Sequence, residues 1–131
     1  MVAPPVREIT RSLPLGVHAV GVARQFVATT VPDWGGGTED VAAVALLSSE
    51  LVTNAVLYGY GADELTLRHD DGRLRISVAD RSLTLPTPRE PSDDAEIGRG
   101  MQLIEAFADS WGVDPGADGK TVWCEVVLSG R

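Results

Sequence analysis

The fold class this sequence predicts is an α+β two-layer sandwich, one sheet with its helices packed on a single face. Three observations lead there. Leu15–Val31 and Thr38–Tyr58 carry apolar residues at helical spacing. Leu65–His69 and Leu74–Ala79 alternate apolar and polar residues on either side of Asp70-Asp71-Gly72, a strong hairpin signal. A sheet covered by helices on one face buries all of these patterns in two layers. The chain has 131 residues, 44% of them hydrophobic, which suits one domain with its own core.

Taken in order, residues 1–5 read as a flexible tail and residues 6–128 as a single domain. Val6–Leu13 (VREITRSL) alternates in part and reads as an edge strand, ended by Pro14. The first helix spans Leu15–Val31, with Val17, Val20, Ala23, Phe26, Val27 and Thr30 as its apolar stripe. Pro32-Asp33-Trp34-Gly35-Gly36-Gly37 breaks it, and the glycine triplet reads as a plain linker. Thr38 is the candidate N-cap of the second helix, with Glu39 and Asp40 in its first turn. That helix presents Val41, Val44, Leu47, Ser48, Leu51, Ala55 and Tyr58 on one stripe and closes at Gly59 and Gly61. After the hairpin, Asp80–Ile97 holds three prolines and five acids with little periodicity. Loops of that length are usually functional or mobile. Met101–Asp109 reads as a helix, Trp111–Val113 as a short strand, Pro115–Gly119 as a turn and Lys120–Leu128 as the last strand.

Composition narrows the function classes. The formal net charge is -8, which leaves little to neutralise a run of phosphates, so direct nucleic-acid binding is not expected. A single nucleotide needs only a local set of donors. Cys124 is the only cysteine, so no intramolecular disulfide forms, and with His18 and His69 it cannot make a Cys/His metal cluster. The longest uninterrupted apolar run, Val41–Leu47, is too short to span a bilayer. The first residues lack a secretory pattern, which makes the cytoplasm the expected compartment and membrane association unexpected.

The chemistry-bearing residues fall at three places. Glu50 and Asn54 stand four residues apart in the apolar run LLSSELVTNAVLYG, hence one above the other on a helix face. Burying them unpaired costs roughly 2–7 kcal/mol per group, so this face meets solvent or a ligand. Asp80 stands at a strand end. Gly98-Arg99-Gly100 precedes a helix start, where unpaired N–H groups and the helix dipole favour an anion. Each feature alone has a plain structural reading: a solvated face, a turn residue, a capping turn. Lys120 reads as a surface charge at a strand start, Trp111 and Trp123 as core or sheet-edge packing, and Cys124 as a small buried hydrophobe. His18 and His69 read as structural or exposed.

In combination, SELVTNAVLYG, ISVADRS, GRGMQLIEAFADSWGV and GKTVWCEV resemble the four ATP-site boxes of the GHKL ATPase superfamily. The similarity is greatest to the small anti-sigma-factor serine kinases and covers about Val6 to Leu128. The resemblance implies the GHKL, histidine-kinase-like ATPase fold, with a mixed, mostly antiparallel sheet. It implies ATP and Mg²⁺ as cofactors, with Asn54 holding the metal and Glu50 as general base. It further implies that Asp80 takes the adenine amino group, supported by Thr121 through a water, and that Gly98, Arg99 and Gly100 cover the phosphates. Residues 81–97 would be the lid. Where the superfamily often has Asp-x-Gly-x-Gly, this chain has Asp80-Arg81-Ser82-Leu83-Thr84, without glycine.

The implied activity is that of a serine/threonine protein kinase acting in partner switching. Its partners would be an anti-sigma-factor antagonist, a sigma factor and a second copy of itself. A non-catalytic nucleotide-binding interaction module is the alternative. A detached sensor-histidine-kinase ATP domain fits less well, because no His-bearing dimerisation hairpin is present.

Overall fold

The computed structural model describes residues 5–58, 62–80, 102–117 and 119–128. Its elements run β1 (Arg7–Ser12), α1 (His18–Asp33), α2 (Thr38–Tyr58), β2 (Ala62–Asp70), β3 (Arg73–Asp80), β4 (Ser110–Gly116) and β5 (Gly119–Val127). A short helix over 102–107 precedes β4. The strands form one sheet in the order β1-β2-β3-β5-β4. All four pairings are antiparallel, so the mixed sheet expected from the resemblance is wholly antiparallel among the described residues. α2 lies against β3, β5 and β2, and α1 packs along α2. The two-layer architecture with helices on one face is the one the sequence predicts.

Strand alternation builds the core. Leu74, Ile76, Val78 and Asp80 of β3 are buried under α2, and Arg75, Ser77 and Ala79 between them point to the helix-free face. Val44, Leu47, Leu51, Val52 and Ala55 supply the α2 side of the core, and Val27 and Val31 the α1 side. By length and hydropathy (1.5 over its most apolar stretch) α2 matches a membrane span, which counting uninterrupted runs does not detect. Here its apolar side is packed inside the fold.

α1 starts at His18, three residues after the expected Leu15, and Leu15 and Val17 are exposed. Gly16, at φ 80, holds a left-handed conformation that helical backbone cannot continue through. The buried stripe is accordingly Ala19, Ala23, Val27, Thr30 and Val31. The helix also runs through Pro32 instead of ending before it. Its end is a Schellman motif: Gly36 N–H donates to Val31 O at 2.9 Å and Gly35 N–H to Pro32 O at 3.0 Å, with Gly35 at φ 90. The glycine triplet is therefore a helix cap, not a plain linker.

The same triplet starts α2. Val41 N–H donates to Gly37 O at 3.0 Å, which makes Gly37 the N-cap in place of Thr38. The buried Asp40 carboxylate reaches back to Gly37 N–H at 3.0 Å, half of a capping box.

The Asp71-Gly72 turn has φ 52 and 80 and joins β2 to β3 as a two-residue type I′ hairpin, as Asp-Gly predicts. β4 extends past the expected Trp111–Val113 as far as Gly116, including Pro115. A proline is tolerated there because, among the described residues, β4 is an edge strand paired on one side only. The expected Pro115–Gly119 turn shrinks to two residues, since Gly116 pairs with Gly119.

The helix-free face of the sheet is polar. Thr10 and Thr66 share a hydrogen bond of 2.8 Å, and Arg75 Nε donates to Glu125 Oε2 at 2.8 Å. The Arg75 guanidinium also lies 4.0 Å from the centre of the Trp123 ring. On the helix-covered side, Trp34 stacks on His69 with ring centres 6.1 Å apart.

Candidate functional site

Glu50 and Asn54 lie on α2, four residues apart, and both are half-buried. Their neighbours Leu51, Val52 and Ala55 turn into the core, which fixes the azimuth of the helix and so the direction of the polar pair. A tie to α1 adjoins them. Arg24 Nε donates to Ser49 Oγ at 2.9 Å, and Ser49 Oγ donates to Ala45 O at 2.7 Å. Arg24 was not singled out in the sequence, where it looks like any charge on the solvent side of an amphipathic helix.

The last turn of α2 and the end of β3 belong to the same end of the molecule. Only three residues separate Tyr58 from Ala62, so their Cα atoms lie within roughly 15 Å by chain length alone. Ala62 in turn pairs directly with Asp80. Asp80 stands on the helix-covered face and is 5% exposed.

Lys120 is the direct cross-strand partner of Asp80. Its Nζ lies 2.9 Å from Asp80 Oδ2 and 3.2 Å from Oδ1. The two side chains are 8% and 3% exposed, so this is a buried ion pair. The sequence reading of Lys120 as a surface charge is overturned. Its cause is the β3–β5 register, which turns the first charged residue of β5 inward. The same register pairs Thr121 with Ala79, one position on, and so places it on the opposite face from Asp80. Both residues border an open pocket of about 550 Å³, lined by Asp63, Ala79, Asp80, Gly116, Gly119, Lys120 and Thr121. Its polar end is therefore a carboxylate and an ammonium side by side.

The other predicted site residues, Gly98, Arg99 and Gly100, and the 81–97 lid lie outside the described residues. The helix expected at Met101–Asp109 is present over 102–107, with Ile104 fully buried beneath it. Among the described residues no group of three or more His, Cys, Asp or Glu side chains could cage a metal ion.

Three solved structures share this architecture. A crystal structure of the RsbU and RsbW domains of Rv1364c from Mycobacterium tuberculosis matches 93% of this chain with a TM-score of 0.69 and 23% identity. This chain spans 32% of that one's length. The histidine kinase domain of a blue-light activated histidine kinase from Erythrobacter litoralis matches 84% of the chain, with TM-score 0.53 and 21% identity, over 61% of its own length. A chain of the SiaB–SiaC complex from Pseudomonas aeruginosa matches 92%, with TM-score 0.53 and 12% identity, over 89% of its own length. At these identities the likeness shows a shared fold. No curated protein matches the sequence. The family described as the histidine kinase-like ATPase domain matches residues 13–125. With most of its length so matched, from the end of β1 to β5, the chain belongs to the histidine kinase-like ATPase domain family.

Proposed function

We propose that this protein is an ATP-binding regulator of the anti-sigma-factor serine-kinase type, acting in the cytoplasm by partner switching. The observation that supports this is the half-buried Glu50–Asn54 pair in the apolar helix α2, whose last turn leads within four residues to Ala62, the cross-strand partner of the buried Asp80. The sequence resemblance to the small anti-sigma-factor kinases supports it, as does the fold shared with the RsbU–RsbW structure and the SiaB–SiaC complex. Glu50 then polarises the serine or threonine hydroxyl of an antagonist protein, with the nucleotide's γ-phosphoryl group as electrophile.

The Asn54 amide oxygen is the donor for Mg²⁺. A neutral amide oxygen there would suit a hard cation that also faces anionic phosphate. When bound, the ion neutralises charge on the phosphates. Gly98, Arg99 and Gly100 cover the phosphates in this reading, and the sigma factor and a second copy of the chain are the further partners.

The test is phosphotransfer from Mg·ATP to anti-sigma-factor antagonist proteins, in the parent and in Glu50→Gln. The kinase reading expects a loss of roughly 10²- to 10⁴-fold in Glu50→Gln with nucleotide binding retained. Equal transfer by both proteins would sink it. A non-catalytic nucleotide-binding interaction module is the second reading, favoured by Asp80, which already has an ionic partner before any base is present. It expects ATP binding and partner capture without phosphotransfer.

A further inference from the structure

We infer that the pole of the molecule opposite Asp80 is a docking surface for a protein partner that presents a basic segment with an apolar anchor. A pocket of about 340 Å³ lies where the start of α2, the short helix over 102–107 and the end of β5 meet. Ala43 and Val44 of α2, Phe107, Val126, Val127 and Leu128 form its apolar walls. The backbone around it is tied down. Asp109 N–H donates to Glu125 O at 2.8 Å, Val127 N–H to Asp109 Oδ2 at 3.0 Å and Leu128 N–H to Gly72 O at 2.9 Å. A pocket held this way has its shape before a partner arrives, which lowers the cost of binding.

Phe107 is 56% exposed and Val127 53%. Apolar residues exposed singly are ordinary. These two border one pocket, and the exposed Leu103 stands one helical turn before Phe107 on the same side. Apolar area around an aromatic, above a preformed pocket, is the composition of an interface core.

Charge selects the partner. Glu39, Asp40 and Asp109 line the pocket, and among the described residues no lysine or arginine does. Asp40 is buried and holds Gly37 N–H, whereas Glu39 and Asp109 are exposed and have no basic partner among the described residues. The net charge of -8 adds to the attraction for a cation. Nucleic acid and anionic membrane surfaces are repelled by such a rim, which leaves a basic protein segment. Its lysines or arginines meet Glu39 and Asp109 while a large apolar side chain enters beside Phe107.

The position gives the surface its independence. β5 runs from Lys120, at the Asp80 end, to Val127 here, seven positions on and roughly 23 Å away along the strand. A docked segment therefore leaves the Asp80–Lys120 pocket uncovered, and the inference holds with or without a nucleotide there.

The experiment titrates the full chain, followed by amide NMR shifts, with three short peptides. One carries a tryptophan flanked by lysines, one has glutamate for each lysine, and one has serine for the tryptophan. The first is expected to bind with a Kd below about 1 mM, to shift Ala43 and Val126–Leu128, and to weaken as salt is added. The other two should bind at least about tenfold more weakly. Glu39→Gln/Asp109→Asn, which keeps an acceptor for Val127 N–H, should weaken the lysine peptide about 3- to 30-fold. Phe107→Ala should weaken it about tenfold. Circular dichroism confirms that each variant is folded. No binding at 1 mM, equal binding of the lysine and glutamate peptides, or shifts centred away from Val126–Leu128 overturns the inference. So does a dimer in solution whose interface covers Val127, because the occupant is then a second copy. The comparison of peptides on the wild type needs no substitution, so an unfolded variant does not shield the proposal.

Discussion

Lys120 Nζ and Asp80 Oδ2 are 2.9 Å apart on adjacent strands, with 8% and 3% of their side chains exposed. A pair this deeply buried is costly to break from one side, because the remaining charge loses both water and its partner. Asp80→Ala is expected to destabilise the nucleotide-free chain by about 3–5 kcal/mol in urea unfolding. The double variant Asp80→Leu/Lys120→Met should recover most of that loss. If Asp80→Ala costs under about 1 kcal/mol, the pair is solvated in solution and the register-based picture of the site fails.

Asn54 separates nucleotide binding from folding. It is half-buried on α2 and is not one of the hydrophobic core residues, so Asn54→Ala removes little core packing. The expected outcome is a melting temperature within a few degrees of the parent and at least tenfold weaker binding of Mg·ATP, with a smaller effect on ATP titrated in EDTA. Equal losses with and without magnesium would take Asn54 out of the metal role.

The glycines between the two helices give a stability prediction. Gly35 sits at φ 90 in the Schellman cap, where an L-residue costs about 1–2 kcal/mol. A Cβ on Gly36 would stand 2.5 Å from Cγ1 of the fully buried Val31 and 3.1 Å from its carbonyl oxygen, which the helix holds in place. Gly36→Ala is thus expected to cost about 1–3 kcal/mol. Gly37→Ala, whose Cβ would meet nothing within 4 Å, should lose less. Thermal melts of the three single variants check the order; similar melting temperatures for all three would contradict the cap.

Much of this architecture was legible from local chemistry. Asp71-Gly72 specifies a two-residue hairpin because both turn positions need positive φ, and the alternation on either side gives the buried face directly. The α2 stripe was legible because one spacing, sustained over several turns, has one helical solution. The site was legible only in part. Glu50 and Asn54 announce themselves as polar residues in an apolar run, whereas Lys120 looks like an ordinary strand-start charge. Its burial depends on β5 inserting between β3 and β4 and on which residue of β5 meets Asp80. That register joins segments 40 residues apart and leaves no local trace.

Gly112 lies on the edge strand β4, on the helix-free side of the sheet. It pairs with Trp123, and a Cβ there would lie 2.7 Å from the ring carbon Cζ2. The ring cannot move away freely, since Arg75 stacks on it at 4.0 Å and is itself held by Glu125. Gly112→Ala is expected to cost about 1–3 kcal/mol and to shift the tryptophan emission to longer wavelength as Trp123 is displaced toward water. An unchanged spectrum and midpoint would mean that β4 is not seated against this ring.

Cys124 provides the pH-dependent prediction. It is fully buried opposite Ile76 on the helix-covered side of β5. Burial pushes its thiol up from 9.0 to about 12, with the neighbouring Glu125 charge adding to the effect. The folded chain therefore holds this proton more tightly than the unfolded chain does. The resulting stabilisation is fully present below the unfolded value and is lost as pH rises toward the folded one. Cys124→Ala removes the titration and leaves a pH-independent cost for the lost sulfur. The stability difference between wild type and Cys124→Ala should be constant near neutrality and shrink between roughly pH 9 and 12. Because the thiolate is the reactive form, a thiol reagent at mildly alkaline pH should label the unfolded chain promptly and the native chain slowly. Rapid labelling of the native chain, or a stability difference that stays flat across the alkaline range, would place Cys124 in contact with water.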